Sequence, residues 1–226
     1  MKSWITTRQV TDLLEALYAD AEQSDPVAHK AARESRATFK NEADFYKAMH
    51  KAYMPVGRDF GNLLYSLARS AKAKTVVEFG TSFGISTIYL ACAIRDNGAG
   101  KVITSEFDPE KAARAKKNLT AAGLVECVEF RIGDALNTLS DLSCEIDLIF
   151  LDGAKGLYLD VLKLLEPHLR SGGIVASDNT DHDGMEPFLD YLRMPGSGYI
   201  SSAIITGGQG SQGSQGGRGH EITIRN

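Results

Sequence analysis

The chain has 226 residues, 43% of them hydrophobic, enough for one substantial core in a large domain or a domain with a helical extension. A formal charge of −4 leaves no broad basic field for nucleic acid. Three cysteines without a C-x-x-C pair, no apolar leader in MKSWITTRQV and no run near the roughly 20 apolar residues of a membrane span lead us to expect a soluble, cytoplasmic protein.

The first quarter reads as helical. Thr6 with Gln9 makes a capping box ahead of Val10, Leu13, Leu14, Leu17 and Tyr18, which share one helical face. Asp25-Pro26 predicts the start of a second helix, and Asn41 that of a third carrying Phe45, Tyr46, Met49 and Tyr53 on one side, as core or dimer interface in preference to a substrate pocket. Pro55 breaks the chain before the amphipathic pattern of Phe60, Leu63, Leu64 and Leu67. We therefore divide the chain into an N-terminal helical extension, residues 1–54, forming a lid or dimer surface, and a main domain, residues 55–226.

From Lys74 the pattern alternates. TVVEF, KVITS, VEFRI, DLIFL and GIVAS are short β-rich runs with helical stretches between them, one running from Asp108-Pro109 to a stop at Gly123. On that helix Lys111, Arg114, Lys116 and Lys117 read as a solvated basic face. GYISSAIIT and HEITIRN are further strand candidates, joined by the low-complexity GGQGSQGSQGGRG, which we expect to be a disordered loop. The fold class is α/β, a Rossmann-like doubly wound sheet of about seven strands, mostly parallel with an antiparallel C-terminal hairpin, plus N-terminal helices.

In such sheets ligands bind at the carboxyl ends of the strands. VVEFGTSFGIST places Glu78 at the first strand's end, Gly80 and Gly84 in the turn, and Ser86 near a helix start. Ser82 and Ile85 stand where a dinucleotide fingerprint needs glycines, so nicotinamide cofactors fit poorly. The E-x-G-x-x-x-G spacing resembles that of S-adenosylmethionine methyltransferases. Glu106 follows VITS, where an acid accepts hydrogen bonds from both ribose hydroxyls, and Asp134 and Ala135 after the third strand are placed to border an adenine. Asp152 ends the apolar run LIFL, and Asp178-Asn179 ends the next strand, so three oxygen donors can converge on one ion. With no Cys or His among them, Mg²⁺ or a similar divalent ion is favoured. The other reading makes Asp152 a helix N-cap and Asp178-Asn179 turn formers.

Four stretches, MPVGRDFG, VVEFGTSFGIST, DLIFLDGAKGLY and GGIVASDNT, resemble the cation-dependent O-methyltransferases, the group that includes catechol and caffeoyl-CoA O-methyltransferases. The resemblance covers the chain from about Met54 onward. It implies Asp152, Asp178 and Asn179 as metal ligands and Lys155 as general base, with Asp152 also near the cofactor's methionine part. It further implies Val56, Glu78, Gly80, Ser82, Ser86, Glu106, Phe107 and Ala135 around S-adenosylmethionine, a small hydroxylated acceptor and a homodimer. Two features depart from catechol enzymes. Gly153-Ala154 replaces bulkier residues and leaves less wall around the acceptor, and no acid lies between Ser201 and Gly219. His182, just beyond Asn179, reads as an acceptor-site residue or a solvated loop histidine. Three functions stay open: a metal-dependent O-methyltransferase, a metal-independent methyltransferase on the same fold, and a non-catalytic S-adenosylmethionine-binding module.

Overall fold

The computed structural model describes residues 3–40, 42–207 and 218–226. Its first five strands are parallel: β1 (Thr75–Phe79), β2 (Lys101–Glu106), β3 (Val128–Ile132), β4 (Ile146–Leu151) and β5 (Leu169–Ser177). With β6 (Tyr199–Thr206) and β7 (Arg218–Arg225) they make one sheet of order β3-β2-β1-β4-β5-β7-β6, in which β7 runs antiparallel to β5 and β6. The chain builds outward from β1 to β3 and then returns to β4 on the other side of β1. Such a reversal opens a crevice at the carboxyl ends of β1 and β4. The expected hairpin is present, whereas most of the low-complexity stretch joining its strands, residues 208–217, lies outside the described residues.

The unbroken apolar runs follow from burial on both faces. Alternate side chains of a strand point to opposite sides, so Val76, Leu148 and Phe150 join one core and Val77, Ile149 and Leu151 the other. The first core is roofed by α3 (Arg58–Ser70) and α4 (Ile85–Asn97). Every residue of α4 from Ile85 to Ile94 is buried, because this helix is enclosed by the sheet, α3, α1 (Arg8–Ser35) and α5 (Pro109–Ala121). The second core is covered by α7 (Tyr158–Leu165) and α8 (Glu186–Arg193), while α2 (Glu42–Ala48) and α6 (Ala135–Thr138) are short.

Local signals misled the reading of the N-terminus. Pro26 does not open a helix but lies inside α1, which runs on to Ser35. Asp25, whose position suggested a cap, is buried, and its carboxylate accepts hydrogen bonds from the backbone N–H groups of Tyr53 (2.7 Å) and Met54 (2.8 Å). Thr6 and Gln9 form no capping box: the helix is preceded by Thr7, and Gln9 Nε2 donates to the Ala121 carbonyl at the end of α5. The aromatic stripe is divided, since the chain leaves α2 at Ala48. Met49 packs with Ala32, Ala52 and Phe45, whereas Tyr53 joins the main core alongside Val10, Leu14 and Leu17 of α1.

Candidate active site

The glycine turn hangs between β1 and α4. Gly80 has φ +103°, and a Cβ there would stand 2.5 Å from the Asp152 carbonyl oxygen, so side chains are excluded where the ends of β1 and β4 meet. Ser82 also adopts a left-handed conformation (φ +47°). Its N–H donates to Glu106 Oε2 (2.7 Å) and its hydroxyl to the Tyr53 carbonyl (2.7 Å). Glu106 Oε1 accepts from the Asp108 N–H (2.9 Å), so this carboxylate ties the turn to the start of α5. Burial raises its pKa, and these N–H bonds together with the Lys111 charge oppose that.

Lys111 is a correction to the solvated basic face. It is only 5% exposed, and its ammonium donates to the Ala52 carbonyl (3.0 Å) and the Ser82 hydroxyl (3.4 Å). Arg114 pairs with Asp20 at 2.8 Å and stacks on Tyr53 and Phe83, leaving Lys116 and Lys117 exposed. Asp25, Lys111 and Ser82 thus fasten residues 52–56 beside the turn. Val56 is buried there, its carbonyl accepting the Tyr18 hydroxyl (3.1 Å).

Glu78 is fully buried beneath the turn. Its oxygens accept from the hydroxyls of Ser86 (2.6 Å), Thr87 (2.5 Å) and Thr104 (2.6 Å), so Ser86 is engaged with Glu78. Burial pushes the Glu78 pKa up despite the three donors. Beyond β2, Phe107 is 65% exposed at the rim. Asp134 caps α6 through the Leu136 N–H (3.0 Å), and Ala135 is buried.

Across the crevice, Asp152 and Asp178 follow residues paired in adjacent strands, Leu151 and Ser177. Lys155 Nζ lies 3.3 Å from Asp152 Oδ1 and 2.6 Å from the Tyr158 hydroxyl, which donates to the Asp178 carbonyl (3.1 Å). Tyr158 is buried, and desolvation holds its pKa well above 10, so it stays neutral. Asp178 is 2% exposed; its Oδ1 accepts from the Asn179 N–H (2.8 Å) and lies 2.7 Å from His220 Nδ1 of β7. Asn179 itself takes φ +53°. Among the described residues no three His, Cys, Asp or Glu side chains converge tightly enough to cage an ion. The Phe79 ring packs directly on Gly153, where an added Cβ would meet it at 2.5 Å. His182 is exposed in the loop after Asn179.

Tyr158, Lys111 and His220 were missed. Tyr158 stood in a quoted motif, and its spacing of three from Lys155 was the available signal. His220 lies 42 positions from Asp178 and had none.

This sheet order, with acids gathered along its carboxyl edge, defines an α/β protein of the Rossmann-like kind. Residues 30–187 match the model of the O-methyltransferase family, and the chain belongs to that family. It is 37% identical over 144 residues to catechol O-methyltransferase of Niastella koreensis, a match covering 61% of this chain and 64% of that protein. Caffeoyl-CoA O-methyltransferase 1 of Eucalyptus globulus is 30% identical over 151 residues, 62% of this chain and 61% of the relative. The chain therefore spans somewhat under two thirds of these curated relatives. Among solved structures it is similar to the O-methyltransferase TomG of Streptomyces achromogenes, involved in tomaymycin synthesis and crystallised with SAM, with a TM-score of 0.68 and 26% identity over 88% of this chain and 89% of TomG. Among the described residues no helix is long and apolar enough to cross a membrane.

Proposed function

We propose that the protein is an S-adenosylmethionine-dependent O-methyltransferase acting on a hydroxyl of a small phenolic or vicinal-dihydroxy acceptor, with a divalent metal. The observation that carries this reading is the meeting, at one sheet edge, of the Glu106-tied glycine turn with the pair Asp152 and Asp178. Family membership and a SAM complex of similar fold support it.

The residues suit both groups. Glu106 would receive the ribose hydroxyls, Val56, Phe107, Asp134 and Ala135 would border the adenosine, Gly80, Ser82 and Asp152 would face the methionine part, and Glu78 with Ser86 would brace the turn from beneath. Asp152, Asp178 and the Asn179 amide oxygen would hold the metal. When bound, the cofactor would supply the methyl group, and the cation would supply Lewis acidity toward the acceptor hydroxyl.

Lys155 is the base in this reading. Its Nζ is held by the Tyr158 hydroxyl (2.6 Å) and Asp152 Oδ1 (3.3 Å), and from there it would take the acceptor's proton. The Tyr158 proton is held by the Asp178 carbonyl, so this tyrosine positions Lys155 and does not compete with it. We extend the reading to a cytoplasmic homodimer with residues 1–54 as lid or subunit surface; three free cysteines suit a reducing compartment.

The test is Asp178→Ala beside Lys155→Ala. Asp178→Ala keeps S-adenosylmethionine affinity within a few-fold by calorimetry and loses methyl transfer by on the order of a hundredfold or more. Lys155→Ala also slows transfer but regains rate at high pH, where the acceptor ionises unaided. Full-rate transfer by Asp178→Ala contradicts the metal assignment, and a Lys155→Ala rate that stays flat with pH contradicts the base.

A further inference from the structure

Two residues beside the glycine turn hold a left-handed backbone that glycine ordinarily takes, Met54 (φ +46°) and Ser82 (φ +47°). A residue with a side chain is strained there and stays so only where its surroundings enforce the conformation. Ser82 is held within the turn by Glu106. Met54 lies in neither helix nor strand, and its restraint comes from side chains on distant elements.

Every polar group of the two peptide units from Ala52 to Met54 is engaged by such a side chain. The Ala52 carbonyl accepts from Lys111 Nζ (3.0 Å), and the Tyr53 N–H donates to Asp25 Oδ1 (2.7 Å). The Tyr53 carbonyl accepts from the Ser82 hydroxyl (2.7 Å), and the Met54 N–H donates to Asp25 Oδ2 (2.8 Å). Lys111 Nζ also reaches the Ser82 hydroxyl (3.4 Å), so the segment and the turn are tied by one set of bonds. Asp25 of α1 is 6% exposed and Lys111 of α5 is 5% exposed. Burying two charges to anchor a short irregular stretch is unfavourable in itself, even though each charge favours the other. Strain and buried charge together mark a stretch whose path matters to what it borders, and two residues on is Val56.

Resting on the S-adenosylmethionine reading above, we infer that Asp25 and Lys111 are positioning residues for the cofactor. They fix residues 52–54 in the strained path that leads to Val56 and meets Ser82, so that binding does not have to order this stretch. α1 then supports the cofactor pocket rather than closing over it, which narrows the reading of residues 1–54.

The experiment measures S-adenosylmethionine binding to the full chain by calorimetry, below the thermal midpoint of each variant. Asp25→Asn keeps the side chain's shape but offers one acceptor oxygen and sets an NH₂ group against the other backbone N–H. It weakens binding tenfold or more. Glycine takes φ +46° without strain, so adding Met54→Gly to Asp25→Asn restores affinity threefold or more, while Met54→Gly alone changes it by less than threefold. Rescue at the strained residue is not expected if Asp25 only holds the fold together. Lys111→Met, which leaves the Ala52 carbonyl without its donor, weakens binding tenfold or more and decides the question even if Asp25→Asn does not fold. Wild-type binding matched within twofold by both single variants overturns the positioning role and leaves the cofactor reading standing, as does a loss in Asp25→Asn that Met54→Gly fails to restore. No binding of S-adenosylmethionine to the wild type at millimolar concentration overturns both.

Discussion

Adding one methyl group at Gly80 separates two effects that the structure places at a single residue. An alanine there must hold φ +103°, a conformation that costs an L residue about 1–3 kcal/mol. Its Cβ would also meet the Asp152 carbonyl oxygen at 2.5 Å and the carbonyl carbon at 2.6 Å, about 0.9 Å short of ordinary contact. Both are backbone atoms, so no rotamer relieves the clash, and the ends of β1 and β4 must part. A total of about 3 kcal/mol corresponds to a fall of roughly 6–12 °C in thermal midpoint for a chain of this size. Displacing Asp152 by nearly 1 Å is expected to slow methyl transfer by on the order of a hundredfold. Gly98→Ala is the control: φ is +93°, but nothing lies within 4 Å of its Cβ, so strain acts there without a clash. Differential scanning calorimetry and transfer rates on both variants give the answer. If Gly80→Ala melts and turns over like Gly98→Ala, the close approach of β1 to β4 does not govern the site.

Glu106→Ala is expected to weaken S-adenosylmethionine binding by about 1.5–3 kcal/mol, roughly 10- to 150-fold, and unchanged affinity by calorimetry contradicts the ribose role. Gly153→Ala is expected to cost about 1–3 kcal/mol through its collision with Phe79, and Phe79→Leu in the same chain should recover much of it; additive losses in denaturant unfolding contradict the contact. Glu78 has its pKa raised above the usual 4.5 by burial, so the fold binds this proton more tightly than the unfolded chain does. Its contribution to stability is therefore full below pH 4.5 and lost as pH rises through the folded value. Glu78→Gln carries no such loss, so the melting temperature of the variant relative to wild type should climb between pH 4 and pH 8, and a difference that stays flat contradicts the sign.

The sheet was legible because the strands are covered on both faces, which removes polar alternation and leaves unmistakable apolar runs such as LIFL. The acids at the strand ends were legible for the same reason, since Glu106, Asp152 and Asp178 punctuate those runs. What escaped depends on distant contacts. Asp25-Pro26 carries a local helix-start signal, but its carboxylate serves the backbone of Tyr53 and Met54, and α1 runs through the proline. Lys111 lies in a run of basic residues, yet its position on α5 turns it inward to Ala52 and Ser82, which periodicity alone does not separate from its exposed neighbours Lys116 and Lys117. His220 reaches Asp178 only through the antiparallel register of β7.

The central claim is methyl transfer to a hydroxyl with the help of a divalent metal. Its most direct test is transfer of a labelled methyl group from S-adenosylmethionine to a panel of vicinal dihydroxy phenols, run with added Mn²⁺ or Mg²⁺ and after exhaustive chelation. The account predicts labelled monomethyl ether from at least one acceptor when metal is present and loss of nearly all of it on chelation, with recovery when metal is restored. Transfer at the full rate by the chelated protein, or none to any acceptor with metal present, would contradict it.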